Sequence, residues 1–135
     1  MANSLTNYSE NLILNSIFGG ATLTPPSTLY FGLSTTSVQD DGSGITEPIG
    51  NGYTRVSVNN NTTSFPTTTT SQKNNGVTIT FPSSTGSWGE IVDFFISDSL
   101  VGGNILCYGT LAIPKNVTSG DILSFAIGNL TITLE

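Results

Sequence analysis

Three carboxylates crowd one aromatic stretch of the chain, TGSWGEIVDFFISD, from Thr85 to Asp98: Glu90, Asp93 and Asp98, beside the only tryptophan, Trp88, and the pair Phe94–Phe95. Two carboxylates about 5–9.5 Å apart can run glycoside hydrolysis, one as acid and the other as nucleophile or base. A straight β-strand forbids that here. Side chains alternate between faces and each residue advances about 3.3 Å, so Glu90 and Asp98 share a face roughly 26 Å apart. Asp93 points the other way, with Ile91, Phe95 and Ser97, opposite Trp88, Val92, Phe94 and Ile96. Asp40, Asp41, Glu47 and Asp121, the acids that could supply a partner, fall in expected loops. The stretch reads as a strand apolar on both faces, placed between two layers, with its acids as polar punctuation.

Other reaction chemistries lack their residues. The chain has no histidine, which removes the Ser-His-Asp and Cys-His arrangements. Lys73 and Lys115 stand in SQK and PKN, without the Ser-x-x-Lys spacing. The single Cys107 lies in the apolar run GGNILCYGTLAI with no cation nearby in sequence, so it reads as a small buried hydrophobe. One cysteine makes neither an intramolecular disulfide nor a thiolate zinc site. Asp40, Asp41 and Glu47 around the glycines of QDDGSGITE offer oxygen ligands but not the EF-hand spacing. No catalytic residue, metal or cofactor is assigned.

Composition narrows the partners. Charged residues are 9% of the 135, the net charge is -6, and Lys plus Arg number three. A typical globular chain carries about 25% charged residues. So few cations cannot neutralise phosphates, which argues against nucleic acid. The N-terminal MANSLTNYSENLILNSIF has no basic segment and no apolar run long enough for a signal peptide or a membrane span. The expectation is a soluble protein made in the cytoplasm, with a surface of Thr, Ser, Asn and Gly. Such short side chains lose little entropy on ordering and hydrogen-bond to many partners. A sugar cleft would want exposed aromatic platforms, for which only Tyr30, Tyr53 and Tyr108 are candidates.

One helix is expected, at about 5–18, with Asn7 and Glu10 as a capping box and Gly19–Gly20 as its stop. Leu5, Tyr8, Leu12, Ile13, Ser16 and Ile17 recur at helical spacing, and Leu14 and Phe18 widen the stripe. So broad an apolar surface suggests packing on a sheet or on a neighbouring subunit. From Pro25–Pro26 onward the pattern is strands, at 28–35, 53–59, 77–82, 90–97, 103–112, 121–127 and 129–134. DSLVGG, PKNVTSGD and Gly128–Asn129 mark the turns, and residues 59–76 read as an exposed loop around the anchor Phe65. The fold class is mainly β: a single domain, 1–135, an antiparallel sandwich or jelly roll with one N-terminal helix. Arg55 is the one charge in the middle of an expected strand. Its fork suits either an acid on a neighbouring strand or a group across an interface.

The order of NYSENLILNSIFGG, PPSTLYFGLSTT, GNGYTRVSV, NNGVTITFPSSTGSWGEIVDFFISD and the closing SGDILSFAIGNLTITLE resembles a family of small structural proteins of tailed bacteriophages, labelled tail-fibre or decoration proteins. The resemblance spans nearly the whole chain. It implies a non-enzymatic component on the outer surface of the virion, synthesised in the host cytoplasm. The first expectation is a capsid decoration (cement) protein that binds the major capsid protein as a homotrimer. The alternative is a tail or tail-fibre component, or a receptor-binding module. Partner contacts are expected on the helix, at Tyr8 and Leu12, in the loop carrying Asp40 and Asp41, and at Arg55.

Overall fold

The aromatic stretch does form the middle of the molecule. In the computed structural model, which describes residues 3–134, it supplies strand β6 (Gly89–Ser97) at the centre of a five-stranded antiparallel sheet. The strand order is β1 (Asn3–Leu5), β7 (Ile105–Val117), β6, β2 (Thr28–Ser34), β3 (Val56–Asn59). Two short antiparallel pairs accompany it: β5 (Ile79–Thr80) with β8 (Ser124–Phe125), and β4 (Gln72–Asn74) with β9 (Thr131–Thr133). Met1, Ala2 and Glu135 of the expected domain 1–135 lie outside the described residues.

One face of the large sheet makes the sandwich core. Phe31, Leu33, Phe94, Ile96 and Cys107 pack there with Phe65, Ile79, Phe81, Phe125 and Leu130 from the opposite layer. Phe94 meets Phe125 edge-on at 5.4 Å between centroids, and Phe31 stacks on Phe65 at 6.3 Å. Phe65 is thus the anchor its sequence context suggested. Strict alternation along β6 fails at one point, because the register slips between Ile91 and Asp93. A bulge of this kind moves the following side chains to the other face. Ile91 therefore joins Phe94 in the core, where uninterrupted alternation put it on the opposite side.

The bulge also corrects the boundary of β7. Ile91 pairs with Lys115 and Asp93 with Thr110, so one residue of β6 faces the four residues Leu111–Pro114. The strand resumes through PKNV, which had read as a turn. Pro114 has no N–H to donate to a ladder, and a bulge is where a strand tolerates that.

Other expected boundaries also shift. The strand expected at 53–59 begins only at Val56, so Arg55 precedes it. Those at 77–82, 121–127 and 129–134 shrink to two or three ladder residues, and the loop 59–76 contains β4. Leu5 belongs to β1, and helix α1 (Asn7–Ile17) starts after it with Thr6 as N-cap. The capping pair is thus Thr6 with Ser9, one residue earlier than Asn7 and Glu10. Backbone pairing of Leu5 with Cys107 fixes that frame.

The second face of the sheet is covered by the 35–55 and 98–104 loops. Phe95, Asp93 and Ser97 face it and are buried. Gly32, opposite Phe95 in the register, leaves room for the ring: a Cβ there would stand 2.2 Å from Cζ of Phe95. Phe94 and Phe95 are both fully buried, as a strand between two layers requires.

Candidate interaction surfaces

Arg55 organises the second face. Its guanidinium is buried and lies over the Phe95 ring, 4.9 Å from the centroid. Nε and Nη2 donate to the two carboxylate oxygens of Glu47, each at 3.0 Å. Nη1 donates to the backbone oxygens of Ser99 and Gly102, at 2.8 and 2.9 Å. A rigid fork with five donors suits such divided work. Of the two sequence readings for Arg55, the structure shows the intramolecular one, with an acid from a loop rather than a strand. The Tyr53 hydroxyl completes the cluster, donating to Glu47 at 2.7 Å and accepting the Leu33 N–H at 3.0 Å. Burial, and then the bond to Glu47, push this phenol well above its ordinary 10, against the opposing pull of the Leu33 N–H.

The cluster ties two loops together and fixes what they display. Ile49, 93% exposed, and Leu100 and Val101 line one open depression with Pro48, Tyr53 and Arg55. The 98–104 turn is itself closed by Asp98, whose carboxylate accepts from the N–H and side chain of Asn104 at 2.8 and 2.9 Å. Gly103 takes φ +77° there, and a Cβ would meet Asp98 Oδ1 at 2.5 Å. Neither loop's apolar tip was assigned from sequence, although Ile49, set between Pro48 and Gly50 in a polar loop, is a readable signal.

The acids of QDDGSGITE go to three different partners. Glu47 serves Arg55, Asp40 accepts from the Tyr108 hydroxyl at 2.9 Å, and Asp41 accepts from both the hydroxyl and the N–H of Ser43. The Ser43 hydroxyl, then its N–H, hold the Asp41 carboxyl below its usual 3.8. Partial desolvation and the Asp40 carboxylate raise Tyr108 above its ordinary value. Asp93 is buried in mid-strand, where Oδ2 accepts the Val38 N–H at 2.8 Å and pins the start of the 35–55 loop. Glu90 is exposed, Asp93 buried and Asp98 spent on its turn, so the three acids of the aromatic stretch do separate jobs.

Helix α1 is a second surface. Its start is fastened by polar groups: Thr6 Oγ1 donates to the Ile105 oxygen at 2.5 Å and Ser9 Oγ to the Leu106 oxygen at 2.7 Å. The Asn7 N–H donates to the Asp40 oxygen at 2.9 Å, which joins the helix to the acidic loop. The inward stripe is therefore Ser9, Ile13 and Ser16. Tyr8 and Leu12 flank it on one side, and Leu14, Ile17 and Phe18 lie on the other, all exposed. Of the residues expected to meet a partner, Tyr8 and Leu12 stand together on the helix. Asp40 and Asp41 lie in the loop against its start, and Arg55 is enclosed. Tyr30, Tyr53 and Tyr108 are each half-buried. Among the described residues no three Asp, Glu or Cys side chains converge as a metal site, and no helix is long and apolar enough to cross a membrane.

Comparison with protein families matches residues 4–133 to the family described as Podophage GP4 fiber I protein gp80. The chain belongs to this family and is thereby a virion-associated phage structural protein. A search of curated proteins gave no match.

Proposed function

We propose that the chain is a non-enzymatic component of a phage tail fibre, acting by surface contact with other tail proteins in a homo-oligomeric assembly. The match to a fibre family over residues 4–133 carries this reading. It favours the tail over the capsid decoration role, in which the chain would bind the major capsid protein as a trimer on the shell. The geometry agrees in kind. The polar clusters hold loops and helix in place, and apolar side chains are displayed outward at Ile49, Val101, Ile17 and Phe18. Repeated around a symmetry axis, shallow contacts of this sort gain strength through avidity rather than through any single deep site.

Copy number tests the assignment. Purified particles resolved on a gel and quantified against the major capsid protein should hold a few to tens of copies, with antibody label confined to the tail. Hundreds of copies spread over the shell would overturn the fibre reading in favour of decoration.

A further inference from the structure

Helix α1 and the C-terminal strand border a groove of about 320 Å³, lined by Glu10, Ile13, Leu14, Ile17, Phe18 and Leu134. The exposed side chains around it are large: Phe18 is 78% open, Ile17 65%, Leu14 53% and Leu134 51%. We propose that this groove is the surface through which a second copy of this chain docks. The proposal deepens the reading of the protein as an assembling fibre component by naming where the copies meet.

Area is the first argument. At roughly 200 Å² for a fully open side chain of this size, the exposed fractions of Leu14, Ile17, Phe18 and Leu134 amount to roughly 500 Å² of apolar surface per copy. A monomer's largest apolar patch is about 300–600 Å², and a specific complex needs upwards of about 1,000 Å² from both partners together. Two such faces reach that threshold before any polar rim is counted.

Charge selects the occupant. The chain carries -6 net, so most self-contacts would bring acids together. The groove itself is lined by one charged residue, Glu10; Asp40 and Asp41 stand by the start of α1, and Glu135 follows Leu134 in the sequence. Glu10 also sits in the first turn of α1, where the helix dipole favours a carboxylate. A copy of the same face can therefore pack here with little repulsion, whereas a strongly basic partner would find one carboxylate to answer it. The groove gives the contact a hole, and Phe18 of the other copy is a knob of suitable chemistry.

Light scattering across a concentration series on the purified full chain tests this. The expected mass is a multiple of the protomer's. Leu14→Asp and Phe18→Asp, each at an exposed position, should return it to one protomer, while Ile113→Asp, at an exposed position in the bulge of β7, leaves it unchanged. Unchanged circular dichroism would confirm that the variants fold, and a Phe18→Cys chain, oxidised at its native mass, should give a disulfide-linked pair. A wild-type chain that stays monomeric at every concentration overturns the proposal, as does an oligomer that survives both Asp variants. Because the measurement uses the isolated chain, either negative result leaves the tail assignment to be judged on particle copy number alone.

Discussion

The clamped loops and helix α1 both turn polar groups inward and apolar side chains outward, but they are held by different chemistry. At the loops, one buried cation does most of the holding: Arg55 reaches Glu47, Ser99 and Gly102 and rests on Phe95. At the helix, several small neutral hydroxyls share the task, Thr6 and Ser9 each donating to a β7 carbonyl. A hub concentrates the consequences of a lesion, and a distributed set dilutes them. The contrast is strongest at Arg55. Replacing it by Leu takes the donor from two loop carbonyls and leaves the partly exposed Glu47 carboxylate with only the Tyr53 hydroxyl, a loss of about 2–4 kcal/mol. Thermal unfolding should move down by about 10 °C. A shift of only a degree or two would mean that the loops are held by packing, and the contrast would collapse.

Alkaline titration separates the two regions next. Burial pushes the Cys107 thiol up to about 12, and Tyr53 is raised as well. Both groups hold their protons more tightly folded than unfolded. The stability they contribute is complete below the unfolded values, 9.0 and 10.0, and is lost as pH rises through the folded ones. At pH 11 the thiol alone should have withdrawn about 2–3 kcal/mol. Cys107 pairs with Leu5 of β1, which leads into the helix, and Tyr53 belongs to the loop cluster. Denaturant melts at pH 8 and pH 11 should therefore show Cys107→Ala abolishing most of the loss above pH 9, with Tyr53→Phe acting only above about pH 10. A wild-type chain equally stable at both pH values would contradict the burial of both groups.

The region held by the hub was also the less legible of the two from sequence. Hydrophobic alternation placed the central strand and both phenylalanines correctly, because burial on two faces leaves an unbroken apolar run. The anchor Phe65 stood out as the one aromatic in a polar tract. Alternation cannot register a bulge, so it puts Ile91 on the wrong face and reads PKNV as a turn. Nor does spacing reveal that Glu47, eight residues before Arg55 and across an irregular loop, closes on it in a bidentate pair. The helix is visible from its period, yet the capping-box pattern points to Asn7 and Glu10, whereas Thr6 caps through the Ser9 N–H alone, without the acidic partner the pattern looks for. Choosing between them depends on the pairing of Leu5 with Cys107, a contact between distant parts of the chain. That same frame decides which side of the helix faces inward, and hence that its apolar residues were left outside.

If the helix is held by shared hydroxyls, each should matter modestly. Ser9→Ala removes the donor to Leu106, and Thr6→Ala removes the cap with its bond to Ile105. Each should cost about 1 kcal/mol, well below Arg55→Leu. Thr6 Oγ1 also reaches the Leu106 oxygen and accepts the Ser9 N–H, so the two sites form one network and the double variant should depart from the sum. Loss from either single variant as large as that at Arg55 would show that the helix start is also a hub.

The smallest effects are the most informative about assembly. Ile49 and Phe18 are both open side chains on held frameworks, so truncation to Ser should change the stability of an isolated protomer by no more than about 0.5 kcal/mol. They part company with concentration. Binding restricted to the folded state adds stability by mass action, so a helix face that pairs with a second copy raises the unfolding temperature as protein concentration rises. Ile49→Ser should retain that rise, since the loop tips stand apart from the groove. Phe18→Ser should match the wild type when dilute and lose the rise when concentrated. If both variants keep it, the helix face is not where copies meet. If both lose it, the loops and the helix act as one continuous surface, and their different fastenings serve the same contact.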